Sequence, residues 1–549
     1  MSMETVPVLI VGGGPVGLAL AIELGRANIA CVLIERRDGT VTVPKMSNLS
    51  IRGMEFNRRW GIAEKVKSVG WPQTYPNDFV YCTSMIGHEL ARLKVPPYID
   101  QTSPYTPELG CGCAQIYYDP ILLEYARSLP SIRLLYLTTL DSFIQEPDAV
   151  RARVMEEGTG RTETITARYL VGCDGAGGTV GRALDISYEG QGVVSESLNI
   201  YFRSRDLGCL HDKGWARFYR FTDAAGSWGE LIGIDGKELF RLSVLKADPA
   251  LDEHAYMRRL AGTDFGYEIL SVMAWQRREC VADRYRDHRV FIAGDAAHQN
   301  SPTGGLGLHT GLADAVDLGW KLGAVLQGWG GDYLLDSYEI ERKLVAVDNV
   351  RAATEAFNLL AEMPTGPEID DNSAEGEALR RQFATAFRST RAVRGPSFTD
   401  NLRLGYCYEP SPIIVADGTV RPPIETPNFV PVARPGTRAP HAWIAEGRST
   451  LDLYGSGFVL LQLGSHPPVV DGLVAAAARC GLPLRIVDLV NPDIAALYER
   501  ALVLVRPDGH VAWRADAPPA DPKAMIDRVR GAIPARPACL ASEPAAATD

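Results

Sequence analysis

The apolar residues of this chain form continuous runs in some places and alternate with polar residues in others. The opening stretch, VPVLIVGGGPVGLALAIELGRANIACVLIERR, reads as a strand, a tight turn, a helix and a second strand. A continuous apolar run such as residues 8–11 is typical of a central parallel strand, which is buried on both faces. We therefore expect a Rossmann-type α/β unit at the start of the chain.

A second apolar strand lies more than halfway along the chain, where RVFIAGD ends in Asp295. The stretch that follows, AAHQNSPTGGLGLHTG, is rich in glycine and leads into a helix-like run, LADAVDLGWKLGAVL. A strand, a glycine cluster and a helix thus occur twice.

Four segments between the two glycine clusters alternate with the period of two that indicates strands. They are ESLNIYFRS, GWARFYRF, GELIGID and ELFRLSVLK. We expect a sheet whose polar side chains either face solvent or form a wall over a bound aromatic ring. The polar candidates on this sheet are Tyr201, Arg203, Arg217, Tyr219 and Arg241.

The last third of the chain begins with a linker rich in Pro, Gly and charge, which holds one helical stretch, SAEGEALRRQFATAFRSTRAV. Strand and helix signals then alternate as far as ALVLVRPDGHVAWRA, in which Pro-Asp-Gly predicts a hairpin turn. The tail ARPACLASEPAAATD is predicted to be disordered.

Composition narrows the class of protein. The 549 residues are 46% hydrophobic and 22% charged, which is ordinary for a globular protein, and a net charge of −11 argues against a nucleic-acid partner. We recognise no signal peptide and no apolar stretch long enough to span a membrane, so we expect a cytoplasmic protein. The ten cysteines are scattered without C-x-x-C, so we expect no metal site and no thiol-disulfide chemistry.

The first glycine cluster has the chemistry of a dinucleotide site. Gly12, Gly14 and Gly17 form G-x-G-x-x-G between a strand and a helix. The first glycine allows the turn, the second lets the backbone approach a pyrophosphate, and the third lets helix and strand pack closely. Glu35 ends the next strand, where it can bind the adenosine ribose. This cluster alone leaves NAD and FAD open.

The second cluster favours FAD, because FAD has a second half that needs its own site. Asp295 can accept hydrogen bonds from the ribityl hydroxyls. Gly304, Gly305 and Gly307 let the backbone approach a flat ring, and the following helix directs its positive end at the ring edge that becomes negative on reduction.

These motifs also carry a resemblance. VGGGPVG, Glu35, LVGCDGAGG and RVFIAGDAAHQNSPTGGLGLHTGLADAVDLGWKL follow the order found in class A flavoprotein aromatic monooxygenases. The similarity is to their phenol-hydroxylase-like branch, which has a C-terminal thioredoxin-like domain. It implies an α/β fold: a Rossmann-type FAD-binding domain, an inserted β-sheet substrate domain, and a thioredoxin-like α/β domain.

The implied domain boundaries follow the same resemblance. The FAD-binding domain would gather residues 1–75, 106–185 and 275–360, with the substrate sheet in 76–105 and 186–274. Residues 361–430 would form the helix and linker, 431–535 the thioredoxin-like domain and 536–549 the disordered tail.

The resemblance assigns roles residue by residue. The cofactor-binding positions are Gly12, Gly14, Pro15, Gly17, Glu35, Arg36, Lys45, Gln115, Asp174, Gly294, Asp295, Gly305, Gly307, Leu308 and His309. Ser47, Tyr201 and Arg217 are candidate substrate contacts, and Tyr219, Arg241 and Pro302 are candidate catalytic residues.

The chain departs from the family pattern at several of these positions. Lys45 replaces an arginine, His309 an asparagine, and Gly178 the serine of the DG motif, in which Arg182 falls one place late. Ser47 stands where phenol hydroxylases place an aspartate that helps to deprotonate the phenol, and a serine cannot act as that base at neutral pH.

The implied reaction uses FAD, NADPH or NADH, and O₂ to hydroxylate a phenolic ring through a C4a-hydroperoxyflavin. The missing base favours an electron-poor substrate, such as a nitro- or chlorocatechol in aromatic catabolism, whose hydroxyl is already acidic. The alternatives are a monooxygenase of polycyclic natural-product biosynthesis and a non-hydroxylating FAD-binding relative. A plain NAD-dependent dehydrogenase is a further hypothesis. The expected partners are a small aromatic substrate and O₂, with no membrane, in a monomer or homodimer.

Overall fold

The computed structural model describes residues 5–210, 213–394, 398–423 and 429–534. Its strands are β1 Val6–Val11, β2 Cys31–Glu35, β3 Phe79–Cys82, β4 Glu89–Leu93, β5 Ile132–Tyr136, β6 Thr138–Gln145, β7 Val150–Glu156, β8 Thr162–Gly172, β9 Tyr188–Arg203, β10 Phe218–Asp223, β11 Gly226–Gly233, β12 Leu239–Val244, β13 Glu268–Ala282, β14 Arg286–Asp287, β15 Val290–Ile292, β16 His298–Gln299, β17 Trp443–Ala445, β18 Arg448–Ser449, β19 Phe458–Leu463, β20 Leu484–Leu489, β21 Leu502–Val505 and β22 Val511–Ala515. Its helices are α1 Pro15–Arg26, α2 Ile51–Trp60, α3 Ala63–Lys67, α4 Gln115–Ser128, α5 Thr179–Ala183, α6 Glu253–Ala261, α7 Gly307–Leu326, α8 Asp336–Ala361, α9 Ala374–Arg394, α10 Phe398–Leu404, α11 Asp471–Arg479, α12 Pro492–Tyr498 and α13 Pro522–Val529.

The first sheet confirms the predicted Rossmann-type domain. Strands β15, β8, β1, β2 and β5 run parallel in that order, and β1 is fully apolar at its buried centre. Because the carboxyl ends of parallel strands meet at one edge of a sheet, the turn after β1, the end of β2 and the end of β15 lie together. Both glycine clusters and both predicted acids therefore share one edge.

The second sheet is the predicted inserted sheet, in the order β16-β13-β9-β12-β11-β10-β3-β4. One of its faces packs on α6 through an apolar core that includes Ile200, Phe221 and Leu242. The boundary predicted at residue 275 lies within β13, which is one continuous strand of Glu268–Ala282. The sheet therefore extends further along the chain than expected, and its edge strand leads straight into the second glycine cluster.

The C-terminal domain has thioredoxin-like topology. Its sheet has the order β20-β19-β21-β22, in which β20 is parallel to β19 and the other pairs are antiparallel. The helical stretch predicted in the linker forms α9, and α10 was not predicted. The tail expected to be disordered lies outside the described residues. In the described ranges no helix is both long and apolar enough to cross a membrane.

A buried ionic network joins this domain to α7 and α8. Arg506 donates to Glu341 at 2.6 and 2.9 Å, to Asp317 at 3.0 Å and to Asp508 at 2.6 Å. Lys321 donates to Asp317 and Glu341 at 2.7 Å. Although burial opposes ionisation of Glu341, Arg506 and Lys321 lower its pKa to about 2. The interface thus depends on charges that have no access to water.

We predict that Glu341→Gln destabilises the protein by about 3–5 kcal/mol, because it leaves two buried cations short of an anion. Glu377→Gln is the matched control, since Glu377 pairs with Arg381 on an exposed helix surface, and should cost about 1 kcal/mol or less. Urea unfolding followed by tryptophan fluorescence measures both variants. Equal stability of the two variants would contradict the importance of this network.

Candidate functional site

The turn after β1 contains glycines of two kinds. A Cβ at Gly12 would lie 2.4 Å from the carbonyl oxygen of Cys173, and one at Gly17 would lie 2.0 Å from that of Gly12. Gly14, by contrast, has an ordinary φ of −73°, and a Cβ there would meet no protein atom within 4 Å. The fold requires glycine at positions 12 and 17 but not at 14. Open space beside Gly14, next to the N-terminus of α1, fits a pyrophosphate.

Glu35 is held rigidly at the end of β2. Its Oε2 accepts from the backbone N–H of Gly13 at 2.7 Å, and its Oε1 accepts from that of Arg37 at 2.9 Å. The remaining lone pairs of both oxygens are available to ribose hydroxyls, so the predicted role of Glu35 fits the geometry. The neighbouring Arg36 is exposed.

Asp295 lies just beyond β15 and is exposed to solvent, yet burial raises its pKa, opposed by the charges of His298 and Lys45. The side chain thus reaches solvent, although protein atoms surround much of its carboxyl group. The described residues donate no hydrogen bond to its side chain, which leaves its oxygens available for the hydroxyls of a ribityl chain. Gly294 before it has a φ of +64°, which favours glycine.

The second glycine cluster forms a tight loop, residues 302–306, just before α7, and we call it the flavin loop. Gly304 and Gly305 have φ values of +85° and +63°, and a Cβ at Gly305 would meet no protein atom within 4 Å. Leu308 is half-buried in the first turn of α7, whereas Pro302 is exposed. The unpaired N–H groups at the start of α7 therefore lie beside a surface that is formed by glycine backbone and carries no side chains. Such a surface fits the edge of a flavin ring.

His309 has a structural role for its imidazole ring. Its Nδ1 lies 2.6 Å from the carbonyl oxygen of Gly305, and its Nε2 accepts from the backbone N–H of Ser50 at 2.7 Å. The ring is thus neutral with its proton on Nδ1, and burial together with the charge of Arg403 lowers its pKa to about 3. His309 ties the flavin loop to the start of α2 and is not available as a base.

His298 is likewise occupied. Its Nε2 lies 2.7 Å from Asp314 Oδ2, which also accepts from the backbone N–H of Gly294 at 3.0 Å. Arg342 donates to Asp314 Oδ1 at 2.7 Å. Burial opposes ionisation of Asp314, but His298 and Arg342 lower its pKa to about 2. This group positions Gly294 and Asp295, and does not face the site.

Gln115 joins two segments of the cofactor side. Its Oε1 accepts from the backbone N–H of the exposed Lys45 at 3.2 Å, and its Nε2 donates to Asp119 at 2.9 Å. Burial raises the pKa of Asp119 to about 7. The Lys45 side chain itself is exposed to solvent.

The geometry around Asp174 accounts for the two departures of the DG motif from the family pattern, Gly178 and Arg182. Asp174 Oδ2 accepts from the backbone N–H of Val180 at 3.0 Å, and a Cβ at Gly178 would lie 2.1 Å from Asp174 Oδ1. A serine therefore does not fit at 178 while Asp174 keeps this position. Arg182 donates to the carbonyl oxygen of Gly177 and to Thr179 Oγ1, so it is engaged locally.

One face of the inserted sheet lies towards the FAD-binding domain, which it contacts at Thr42, Pro44 and Ala114, and it carries two rows of side chains. The first row crosses five strands and contains Phe218, Ile232, Arg241, Tyr201 and Ser271. The second row is parallel to it and contains Arg220, Glu230, Ser243, Asn199 and Met273. Tyr201 of the first row packs against Val43 and Ala114, so its ring lies at the interface with the FAD-binding domain.

Tyr219 does not belong to this face, which corrects its candidacy as a catalytic residue. Its ring lies in the apolar core against α6, and its hydroxyl donates to the carbonyl oxygen of Gly214 at 2.9 Å. Because side chains alternate along a strand, Phe218 and Arg220 point to the site while Tyr219 points away from it.

Three buried arginines bond to segments on the cofactor side of the inserted sheet, at residues 44, 47 and 301. Arg241 donates to the carbonyl oxygen of Pro44, Arg217 to that of Ser47 at 2.6 Å, and Arg277 to Ser301 Oγ at 2.6 Å. None forms an ion pair with the described residues. Burial lowers the pKa of all three, to about 10 for Arg241 and Arg277. Other buried arginines, such as Arg342 and Arg506, pair with carboxylates.

Several of these positions were not predicted from the sequence. Arg277 and Glu230 face the site, and both amide atoms of Asn300 are buried without a hydrogen-bond partner in the described chain. The alternation in ELIG, with Glu230 and Ile232 on one face, was the available signal for Glu230. Ser47 contributes its carbonyl group, while its buried hydroxyl has no hydrogen bond to a described residue.

Comparisons with known proteins agree with this geometry. Residues 5–353 match the family model "FAD binding domain", and residues 432–532 match "Aromatic-ring hydroxylase, C-terminal". The fold and the site thus define a flavoprotein oxidoreductase, and the chain belongs to the FAD-dependent aromatic-ring hydroxylases. It is an enzyme that uses FAD, with NAD(P)H as electron donor.

Individual relatives cover almost the whole chain. Tetracenomycin B2 monooxygenase-dioxygenase of Streptomyces olivaceus is 31% identical over 98% of this chain and 100% of its own. The 4-methyl-5-nitrocatechol 5-monooxygenase of Burkholderia sp is 30% identical over 96% and 97%. A structure of the rebeccamycin biosynthetic enzyme RebC, soaked with chromopyrrolic acid, is 38% identical over 97% and 100%, with a TM-score of 0.91.

We predict that Gly14→Val folds normally but purifies with little FAD, because the new side chain fills space that only the pyrophosphate uses. Gly17→Ala is the contrasting control: its Cβ meets the backbone of Gly12, so it should destabilise the apoprotein by about 1–3 kcal/mol. Flavin absorbance after desalting and thermal unfolding of the apoproteins measure the two effects. A yellow Gly14→Val protein with unchanged FAD affinity would refute this placement of the pyrophosphate.

A second prediction concerns pH. A histidine whose folded pKa is lowered from 6.5 to about 3 contributes stability that is complete above pH 6.5 and is lost as the pH falls towards 3. The loss is about 1.4 kcal/mol per pH unit in that window. His309→Asn should therefore be less stable than wild type near neutrality but lose less on acidification. Urea unfolding at several pH values measures this, with His288→Asn as an exposed control; parallel pH profiles for His309→Asn and wild type would contradict the assignment.

Proposed function

We propose that this enzyme hydroxylates a polycyclic aromatic substrate that carries an acidic group. The observation that supports this substrate class is the set of buried arginines 217, 241 and 277, which bond to Ser47, Pro44 and Ser301 and have no carboxylate partner among the described residues. A buried cation without a counter-ion is costly, and a bound anion offsets that cost.

The cofactor side would be held by residues whose geometry fits FAD. Glu35 would bind the adenosine ribose, Asp295 the ribityl chain, and the backbone of Gly305, Gly307 and Leu308 the ring edge. FAD, when bound, supplies the activation of O₂ with electrons from NAD(P)H. The protein's own contribution is to orient the aromatic ring, exclude water and supply positive potential where negative charge develops.

The width of the sheet supports a large substrate. The second row, from Arg220 to Met273, is mostly half-buried and crosses five strands, which at about 4.8 Å per strand span about 19 Å. The relatives also point this way, since they include a tetracenomycin monooxygenase and a RebC structure whose soaked ligand is named as an acid. We propose further that the enzyme acts in the cytoplasm as a monomer or homodimer.

A nitro-substituted catechol is a second candidate, supported by the nitrocatechol monooxygenase relative and by Ser47 in place of a base. Such a catechol is anionic near neutral pH, so the same arginines suit it. It would need far less of the sheet than a polycyclic substrate.

Four probes test the proposal: hydroxynaphthoate, naphthoate, naphthol and nitrocatechol. Their binding is read from the flavin absorbance change, and turnover from NADPH oxidation and product mass. We expect hydroxynaphthoate to bind more tightly than naphthol and to stimulate NADPH oxidation. Preference for nitrocatechol over both naphthalene acids would favour the second candidate.

We predict that Arg241→Met weakens the binding of hydroxynaphthoate by about tenfold or more and leaves that of naphthol nearly unchanged, because only the acid uses the guanidinium. Arg278→Met is the matched control, since Arg278 is exposed on the same sheet and bonds only to Gln276 among the described residues. An equal loss for both probes would contradict a role for Arg241 in acid recognition.

A further inference from the structure

We propose that Glu230 accepts a hydrogen bond from a ring hydroxyl or ring N–H of the substrate and so selects substrates with a donor at that place. This inference rests on the proposed function, because it assumes that the aromatic ring lies against the site face of the inserted sheet. It adds a carboxylate to a face whose other charged groups are the arginines of the proposed acid site.

Glu230 is positioned by its cross-strand neighbours. It lies opposite Arg220 of β10 on one side and Ser243 of β12 on the other, in the second row of site-facing residues. Arg220 Nε donates to Glu230 Oε2 at 2.5 Å, and Arg220 Nη1 donates to the Tyr81 hydroxyl at 2.9 Å. The guanidinium thus fixes one carboxylate oxygen. The other, Oε1, accepts no hydrogen bond from the described residues, although the side chain is only 20% exposed.

The charge of Glu230 acts on Arg241 and Arg277, two of the three arginines proposed to bind the substrate's acidic group. It is the main favourable charge interaction of Arg241 and of Arg277, whose pKa values nevertheless remain lowered by burial. Because Glu230 is already hydrogen-bonded to Arg220, its single charge cannot neutralise three guanidinium groups. The site therefore keeps a net positive charge for an acid and, beside it, a fixed acceptor for a neutral donor.

The rest of the row is polar as well. Ser243 Oγ donates to Asn199 Oδ1 at 2.8 Å, and Asn199 is 5% exposed. On the opposite face of the same strands the residues are apolar, as Phe221, Leu231 and Leu242 show. A sheet gains no stability from burying a polar row that an apolar row could replace. Contact with polar groups of a substrate would account for the polar side chains of this row.

The test uses the FAD-loaded full chain and a matched pair of probes, hydroxynaphthoate and naphthoate, which differ only in the hydroxyl group. Wild type should bind hydroxynaphthoate more tightly. Glu230→Gln should remove most of that difference by weakening hydroxynaphthoate about tenfold or more, while naphthoate binding changes little. Glu268→Gln, an exposed carboxylate on β13, is the control and should leave both affinities unchanged.

Each outcome bears on the inference. Equal weakening of both probes by Glu230→Gln would mean that Glu230 only supports the sheet, and no change for either would mean that no hydroxyl reaches it; both results overturn the assignment but leave the proposed substrate class intact. Failure of wild type to bind either naphthalene acid overturns the substrate class and this inference with it. If Glu230→Gln does not fold, Glu230→Asp replaces it, since the shorter side chain withdraws the carboxylate from the ring. Its loss should again be larger for hydroxynaphthoate, and equal losses would overturn the assignment.

Discussion

The carboxylate of Asp314 is the interaction on which the geometry of the site depends. It is fully buried on α7, and it holds His298 of β16, the backbone of Gly294 and Arg342 of α8 at the same time. Gly294 sets the position of Asp295, β16 is the edge of the inserted sheet, and α7 begins at the flavin loop. One anion thus joins the cofactor edge, the substrate sheet and the helix that faces the flavin. His298 and Arg342 lower its pKa to about 2 against the effect of burial, so this carboxylate is charged near neutral pH.

The buried arginines fall into two groups, those that pair with a carboxylate and those that do not. Those that hold elements together, such as Arg342, Arg438 and Arg506, each have a carboxylate within hydrogen-bonding distance. Arg217, Arg241 and Arg277 donate to carbonyl and hydroxyl oxygens instead, and burial lowers their pKa. Because an unpaired buried cation costs stability, a fold would not keep several of them in one place without compensation by something it binds. Charge pairing therefore divides the buried arginines into two groups that burial alone does not separate, and the proposed acid recognition rests on the unpaired group.

The sequence predicted the positions of the glycine turns and of the two acids, but it did not predict which side chains share a face of the inserted sheet. The glycine turns, Glu35 and Asp295 are defined by residues close together in the chain, and each takes the position that its motif predicted. Tyr219 was misplaced because a shift of one residue along a strand moves a side chain to the other face. Arg277 lies beside irregular pairing in β13, where a simple alternation fails. His309 bonds to Gly305 four residues before it, but its second partner, Ser50, is 259 residues away, and the partners of Asp314 are 16 to 28 residues away. No local pattern could therefore reveal that both side chains were fully engaged.

The C-terminal domain shows why a thioredoxin-like fold without its cysteine pair is still needed here. Its Arg438 donates to Glu55 of α2, and its Arg506 reaches Glu341 of α8 and Asp317 of α7. His309 in turn connects α2 with α7 beside the flavin loop. Both α2 and α7 are therefore held by buried ion pairs with the C-terminal domain. Without that domain, Glu55, Asp317 and Glu341 would each lose a buried cation, and the helix start that faces the flavin would lose the interactions that hold it in place.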